Sequence, residues 1–484
     1  KTKGLAVRLT DSIRIDDGDL SVDITGEGLV ASGDSRVNDV PMKLTWSENF
    51  NPQGRPSTTI ESESVLDDGM RKKLGLDFQP YVEGPVKVSA GFSGSGANLD
   101  MATIMLNFDR ARISAPELNW ASGPGNKVIA TAKLSLKTKG VIIMNDLRAV
   151  GGDVYAAGRV IIGGGAIREA AFESVRLGPL NDFAVVAKTP EIGEQLYVVT
   201  GRALDASELI ANMDSGKDIP PRDRIKRPYN ISATVQQVTL RGDALLQNVI
   251  FRNQTDGIRM RSLDVAASYP GGGTLRADLV PLPDGQRRLR VSSTDAGKLI
   301  RALTGFRSVL GGAITLHADL PRMPRPGDLS ELAVDPPARY QGVVKVENFK
   351  VINQPFLARL FAAGSFGGLG DLLSGEGIGF TKLDGTFTGL GDVVRVADGR
   401  ASGTSVGVTF QGKFDRITTD VDFDGTLVPL YGLNSLFEDI PLVGDILTSR
   451  KGEGIIGFTY EVAGQTDNLD IMVNPLSALT PGIF

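Results

Sequence analysis

The sequence predicts a mainly β protein: an elongated, curled antiparallel sheet, a U-shaped β-groove of repeated modules, with a few short amphipathic helices at the ends and between modules. Three observations carry this. Apolar and polar residues alternate with period two: Val406, Val408, Phe410 and Phe414 fall on one side of a strand, and Ser405, Thr409, Gln411 and Lys413 on the other. Glycine supplies 59 of 484 residues, about 12% against a usual 7%, which is the composition of a chain that turns often. A shift of about 228 residues superposes two stretches of the chain, as stacked architectures do.

Taken in order, residues 1–92 read as a β-groove segment with short strands, turns at Asp17-Gly18 and Pro52-Gln53-Gly54, and a helix near 66–74. Residues 93–213 continue as strands, with a weaker helix signal at 204–210. Residues 214–230, with Pro220 and Pro221, read as a loop or linker. Its Arg222, Arg224, Lys226 and Arg227 sit among Asp218 and Asp223, as in a solvated charge run. Strands resume over 231–340 with a helix near 294–304, and residues 341–484 form a distinct C-terminal region with capping helices. The repeat aligns Asp67 with Asp295, Gly69 with Gly297 and Gly84 with Gly312. That makes roughly 27 candidate strands, where an open sheet rarely passes about ten without curling or splitting. A chain this long splits into two or three domains or forms one extended sheet, and at about 4.8 Å per strand the sheet is a trough roughly 130 Å long.

Composition excludes several classes of function. The formal net charge of −5 argues against a nucleic-acid-binding surface. There is no cysteine and one histidine, His317, which removes most metal, disulfide and triad chemistry. No run of about 18 apolar residues marks a membrane span, nor is there a signal peptide. Gly403-Thr404-Ser405-Val406-Gly407 matches the hydrolase elbow pattern but lacks the strand-to-helix setting and a nearby histidine. The glycine clusters at 91–96, 163–165 and 364–370 open no βαβ unit. Asp16-Asp17-Gly18-Asp19 and Asp422-Phe423-Asp424-Gly425 lack calcium-loop spacing and read as hairpin turns. Asp384-Gly385, Asp398-Gly399 and Asp424-Gly425 likewise read as turns between strands. The expectation is a protein that is not an enzyme and needs no cofactor or metal.

The same alternation returns in Val421, Phe423 and Leu427 and in Ile456, Phe458, Tyr460 and Val462. This apolar face has two readings, a dry sandwich core or a groove open to acyl chains, and periodicity alone does not separate them. Two apolar stretches have helical spacing. One carries Phe356, Leu357, Leu360 and Phe361, and the other Leu433, Leu436, Phe437, Ile440, Val443, Ile446 and Leu447. Both read as plugs or gates at one end of the sheet.

Several motifs carry a family resemblance. Val346-Glu347-Asn348-Phe349, Asn353-Gln354-Pro355-Phe356-Leu357, Gly375-Glu376-Gly377-Ile378-Gly379-Phe380, Ile440-Pro441-Leu442-Val443-Gly444 and Asn474-Pro475-Leu476 resemble the C-terminal region of the bacterial AsmA-like family, the YhdP-type and TamB-related proteins. The resemblance is densest over about the last 145 residues and thinner from about Leu66 onward. It implies a periplasmic protein of a Gram-negative bacterium, held to the inner membrane through an anchor that this chain lacks. It also implies similarity to bridge-like lipid transfer proteins, with phospholipids as cargo toward the outer membrane. The lining it implies is Val406, Val408, Phe410, Phe414, Val421, Phe423, Leu427, Ile456, Phe458, Tyr460 and Val462. Two other expectations remain beside it: an outer-membrane protein assembly factor acting through a sheet edge, as proposed for TamB-related proteins, and an adhesive or carbohydrate-binding β-sandwich.

Overall fold

The computed structural model describes residues 2–8, 14–96, 98–213, 227–257, 260–322, 339–353, 377–415, 418–429, 458–465 and 468–474. These residues are mainly β, with few helices, and the chain divides into two compact units, residues 1–208 with 229–236 and residues 209–228 with 237–484.

The first unit contains β1 (Thr2–Arg8), β2 (Arg14–Ile24), β3 (Gly28–Val37), β4 (Val40–Asn49), β5 (Thr58–Leu66), α1 (Asp68–Lys73), β6 (Val82–Glu83), β7 (Val86–Ser95) and β8 (Asn98–Asn107). After these come β9 (Arg112–Ala115), β10 (Trp120–Ser122), β11 (Ile129–Ser135), β12 (Val141–Gly151), β13 (Val154–Gly163), β14 (Ala166–Leu177), β15 (Asn181–Lys188) and β16 (Gln195–Asp205). Strands pair antiparallel in chain order, except that β5 pairs with β7 and β8 with β11. The skipped strands β6, β9 and β10 make a small sheet of their own. That sheet supplies Val82, Ile113 and Trp120 to a core of Val86, Phe108, Ala111, Val128 and Val154. Among the described residues β1 and β16 do not pair, so the ladder stays open.

The short helix α2 (Ser207–Met213) follows β16, and β17 (Tyr229–Thr239) carries the chain into the second unit. That unit contains β18 (Leu245–Thr255), β19 (Met260–Ser268), β20 (Thr274–Pro281), β21 (Arg287–Ser293), α3 (Ala296–Thr304), β22 (Val309–Leu320) and β23 (Arg339–Val351). It continues with β24 (Ile378–Leu390), β25 (Val393–Ser402), β26 (Val406–Asp415), β27 (Asp420–Pro429), β28 (Phe458–Gln465) and β29 (Asn468–Asn474). From β18 to β29 every neighbour in sequence is an antiparallel neighbour in the sheet. Register breaks at Met144/Leu147, Phe172/Val175, Asp384/Phe387 and Val396/Gly399 mark bulges. Bulges bend a strand and raise its twist, the local device by which a sheet curls without closing.

The two units repeat one local solution. In each, a strand is followed within two residues by an aspartate that caps a helix, and the helix returns the chain to the antiparallel neighbour. Asp67 Oδ1 accepts from Met70 N at 2.8 Å, and Asp295 Oδ1 from Lys298 N at 2.9 Å. The inward position is Leu299 in α3 and Arg71 in α1. Burying a guanidinium is tolerated because Arg71 donates to the carbonyls of Leu66 at 2.9 Å and Gly84 at 2.7 Å. Beyond each helix a phenylalanine stands exposed, Phe78 and Phe306.

Several sequence expectations need correction. Asp17-Gly18 lies inside β2, at a register break, and makes no turn. Gly385, Gly399 and Gly425 lie inside β24, β25 and β27. Residues 28–37 form β3, a strand the alternation did not announce; its hairpin to β4 turns on Asn38 and Asp39, both at positive φ. The short β9 and β10 were also not foreseen. Ser405 lies in the turn before β26, not in the strand. The basic run of 214–226 lies outside the described residues.

Candidate functional site

Register decides which side chains share a face, because residues directly opposite in an antiparallel pair point the same way. Val408 faces Leu427, Phe410 faces Gly425, and Phe414 faces Val421. Phe423 then faces Val462, Gly425 faces Tyr460, and Leu427 faces Phe458. Ten of the eleven expected lining residues therefore sit on one face, and the eleventh, Ile456, lies outside the described residues. The residues proposed as a gate, from Phe356 to Phe361 and from Leu433 to Leu447, also lie outside them.

The apolar face is longer than those residues. It continues through Ile471 and Val473 on β29, and in the other direction through Val394 and Val396, Phe387, Val344 and Val346, Leu316, Val291, Ala277 and Val265 to Phe251 on β18. The first unit carries a comparable face, from Ala31 and Trp46 through Ile60, Phe92, Ala102 and Leu134 to Met144, Val160, Ala170, Val185 and Val199.

Along β26–β28 burial is graded. Val406 and Leu427 are 0% and 1% exposed, Tyr460 and Val462 are buried, and Val408, Phe410, Phe414, Val421, Phe423 and Phe458 are half-buried. Phe410 and Phe423 lie with ring centroids 6.4 Å apart. Glycine sets how the rings lie. A Cβ on Gly399 would come 2.2 Å from the Phe410 ring, and one on Gly425 would come 2.8 Å from the Tyr460 hydroxyl. The aromatic side chains thus lie down over glycines of the next strand, as Tyr340 does over Gly389. This explains why Asp398-Gly399 and Asp424-Gly425 sit within strands. Tyr460 donates from its hydroxyl to the Thr409 carbonyl at 2.8 Å, and burial, with Asp424 nearby, pushes its pKa up.

The opposite face is charged and cross-linked. Lys413 meets Asp422 at 3.1 Å, Gln411 donates to Asp424 at 2.9 Å, Arg252 meets Asp264 at 2.8 Å, and Arg288 holds Asp319 through two bonds of 2.6 and 2.8 Å. Exposed pairs of this kind add little stability, but they keep that face in water. His317 is exposed there, opposite Arg290. A concavity over β25–β29, about 980 Å³, is lined by charged-face residues such as Arg400, Gln411, Asp424 and Glu461 as well as by Phe410, Phe423 and Tyr460. Sequence reasoning missed this feature, since alternation marks faces but not where a face is concave. No group of three or more His, Cys, Asp or Glu residues suited to a metal ion occurs among the described residues, nor is any described helix long and apolar enough to cross a membrane. Comparison with protein-family models, curated proteins and solved structures returned no match.

Proposed function

We propose that this chain is a segment of a periplasmic lipid-transfer bridge, carrying phospholipid acyl chains passively along the apolar sheet face between inner and outer membranes. The observation that supports it is the run of apolar residues in register from Phe251 to Val473, half-buried at Phe410, Phe414 and Phe423. A contiguous apolar surface of this extent marks an interaction site in a water-soluble setting. Each CH₂ taken out of water gains about 0.8 kcal/mol, so a lipid seated on such a face moves without exposing its chains. Transfer of this kind needs no catalytic residue. The location, the inner-membrane anchor and the phospholipid cargo come from the AsmA-like resemblance of the C-terminal region.

The test is organic extraction and mass spectrometry of the purified, detergent-free protein beside an unrelated soluble protein from the same cells. Stoichiometric phospholipid, enriched over that control, is the expected result. Lipid at background level would return the face to a dry core and favour an adhesive role or a role in outer-membrane protein assembly.

A further inference from the structure

The apolar face of the first unit carries a carboxylate at one rim. Register puts it there: Trp46 stands opposite Ala31 and Ile60 on that face, and Glu48, two residues on, stands opposite Leu29 and Thr58. The ladder reaches as far as Phe50, whose N–H donates to the Glu27 carbonyl at 2.9 Å. From the middle of β4 to its end the chain therefore presents a buried leucine, Leu44, then a half-buried indole, a half-buried carboxylate and an exposed phenylalanine. Ile24, on the same face and opposite Leu29, is 67% exposed beside them.

Two of these groups are incompletely matched. Glu48 accepts one hydrogen bond, from Thr58 Oγ1 at 2.7 Å, and among the described residues no cation pairs with it. Glu63, on the opposite face of β5, has Lys87 at 3.8 Å. Trp46 Nε1 is buried and donates to no acceptor among the described residues. Buried polar groups are ordinarily hydrogen-bonded and half-buried charges paired, so the rim lacks one acceptor and one cation.

A zwitterionic phospholipid supplies both in the right order. Its acyl chains are followed by ester and phosphate oxygens that accept hydrogen bonds, and then by an ammonium. Positions two apart on a strand are separated by about 7 Å, the scale of a phosphate and an ammonium joined by a two-carbon spacer. Trp46 and Phe50 flank the carboxylate in the strand, and aromatic rings attract an ammonium.

We propose that this rim seats the headgroup of a zwitterionic phospholipid, with its ammonium at Glu48, a phosphate or ester oxygen at the Trp46 N–H, and its acyl chains along the face that Trp46 shares with Phe92. A turn of the half-buried indole brings its N–H to the ligand. That the ligand is a lipid rests on the function proposed above; recognition of an ammonium rests on Glu48 and its flanking rings.

The experiment uses the full chain and the variant E48Q, which keeps an acceptor for Thr58 and loses the charge. E61Q, on the opposite face of β5, controls for general surface charge. Each is loaded from vesicles holding equal amounts of dioleoyl phosphatidylethanolamine and dioleoyl phosphatidylglycerol, which share chains and phosphate and differ in the ammonium, and the bound lipids are weighed by mass spectrometry. The unaltered protein and E61Q should prefer the ethanolamine lipid by about tenfold, a difference of roughly 1.4 kcal/mol. E48Q should show no preference while its total lipid is unchanged. A preference that survives in E48Q, or that E61Q also abolishes, overturns the site. W46F should lower the loading of both lipids alike, and a changed preference at unchanged loading would overturn the part given to the indole.

A second arm needs no acyl binding: proton line broadening of glycerophosphoethanolamine and of free ethanolamine by the same proteins. Broadening of glycerophosphoethanolamine that depends on Glu48 supports the site even if no lipid loads, in which case the transfer function fails and the headgroup site stands. Equal broadening of free ethanolamine assigns the rim to amines in general and overturns the headgroup assignment. No broadening of either, with no lipid preference, overturns the site entirely.

Discussion

Two stretches of apolar strand, alike in sequence pattern, meet different fates. In the first unit Val86 and Val88 alternate with Lys87 and Ser89 as Phe410 and Phe423 do with their polar neighbours in the second, yet Val86 lies with Val128 under the small sheet of β6, β9 and β10, where Ala111 and Val128 are 0% and 1% exposed. Phe410, Phe414 and Phe423 remain half-buried. The alternation states that one face avoids water; it does not state what covers that face. Cover comes from short non-local pieces, β6 and β9, which carry few residues and almost no periodic signal.

The difference makes mutations at the two places separable. V128D should have the largest effect, a loss of at least about 3 kcal/mol of unfolding free energy, since an unpaired carboxylate would be buried in a dry cluster; chemical denaturation followed by circular dichroism would show it with or without lipid. The pair F410D/F423D should behave the other way. Stability should fall by no more than about 2 kcal/mol for these half-buried positions, while bound lipid falls to background in the extraction assay. A collapse of the fold in this variant would mean that the face is a core after all.

A subtler substitution sharpens the contrast. G425A places a Cβ 1.9 Å from the Thr409 carbonyl oxygen and 2.8 Å from the Tyr460 hydroxyl. It should cost about 1–3 kcal/mol as overpacking, with a lowered melting temperature as the readout. The smallest effect is expected from acid. The Arg288 hydrogen bonds hold the Asp319 pKa below its ordinary value of 3.8. The stability this contributes is therefore present above pH 3.8, and is lost as the pH falls through the depressed folded value. D319N should flatten that part of the stability profile, and an unchanged profile would show the pair to be energetically silent.

Much of this architecture is legible in the sequence, and the illegible parts share a cause. Strand alternation located β26, β27 and β28 and put ten of the residues expected to line a groove on one face, because a period of two needs only local information. The helices that follow Asp67 and Asp295 were legible too, through the repeat that aligns the two aspartates. Glycine misled: Asp398-Gly399 and Asp424-Gly425 have the chemistry of a turn, but each glycine is where a ring from the neighbouring strand lies down. That role depends on register, which no single strand records. A cavity of about 630 Å³ lined by Arg339 and Arg395 was illegible too, since 55 residues separate the two arginines in the chain and strand order brings them together.

The central claim, that acyl chains lie on the face bearing Phe423, is tested most directly by placing a photo-crosslinking amino acid at single positions on either side of β27. The face account predicts covalent lipid adducts from position 423 and none from position 424, whose side chain belongs to the charged face. Equal adducts from both positions, or adducts from 424 alone, would contradict it.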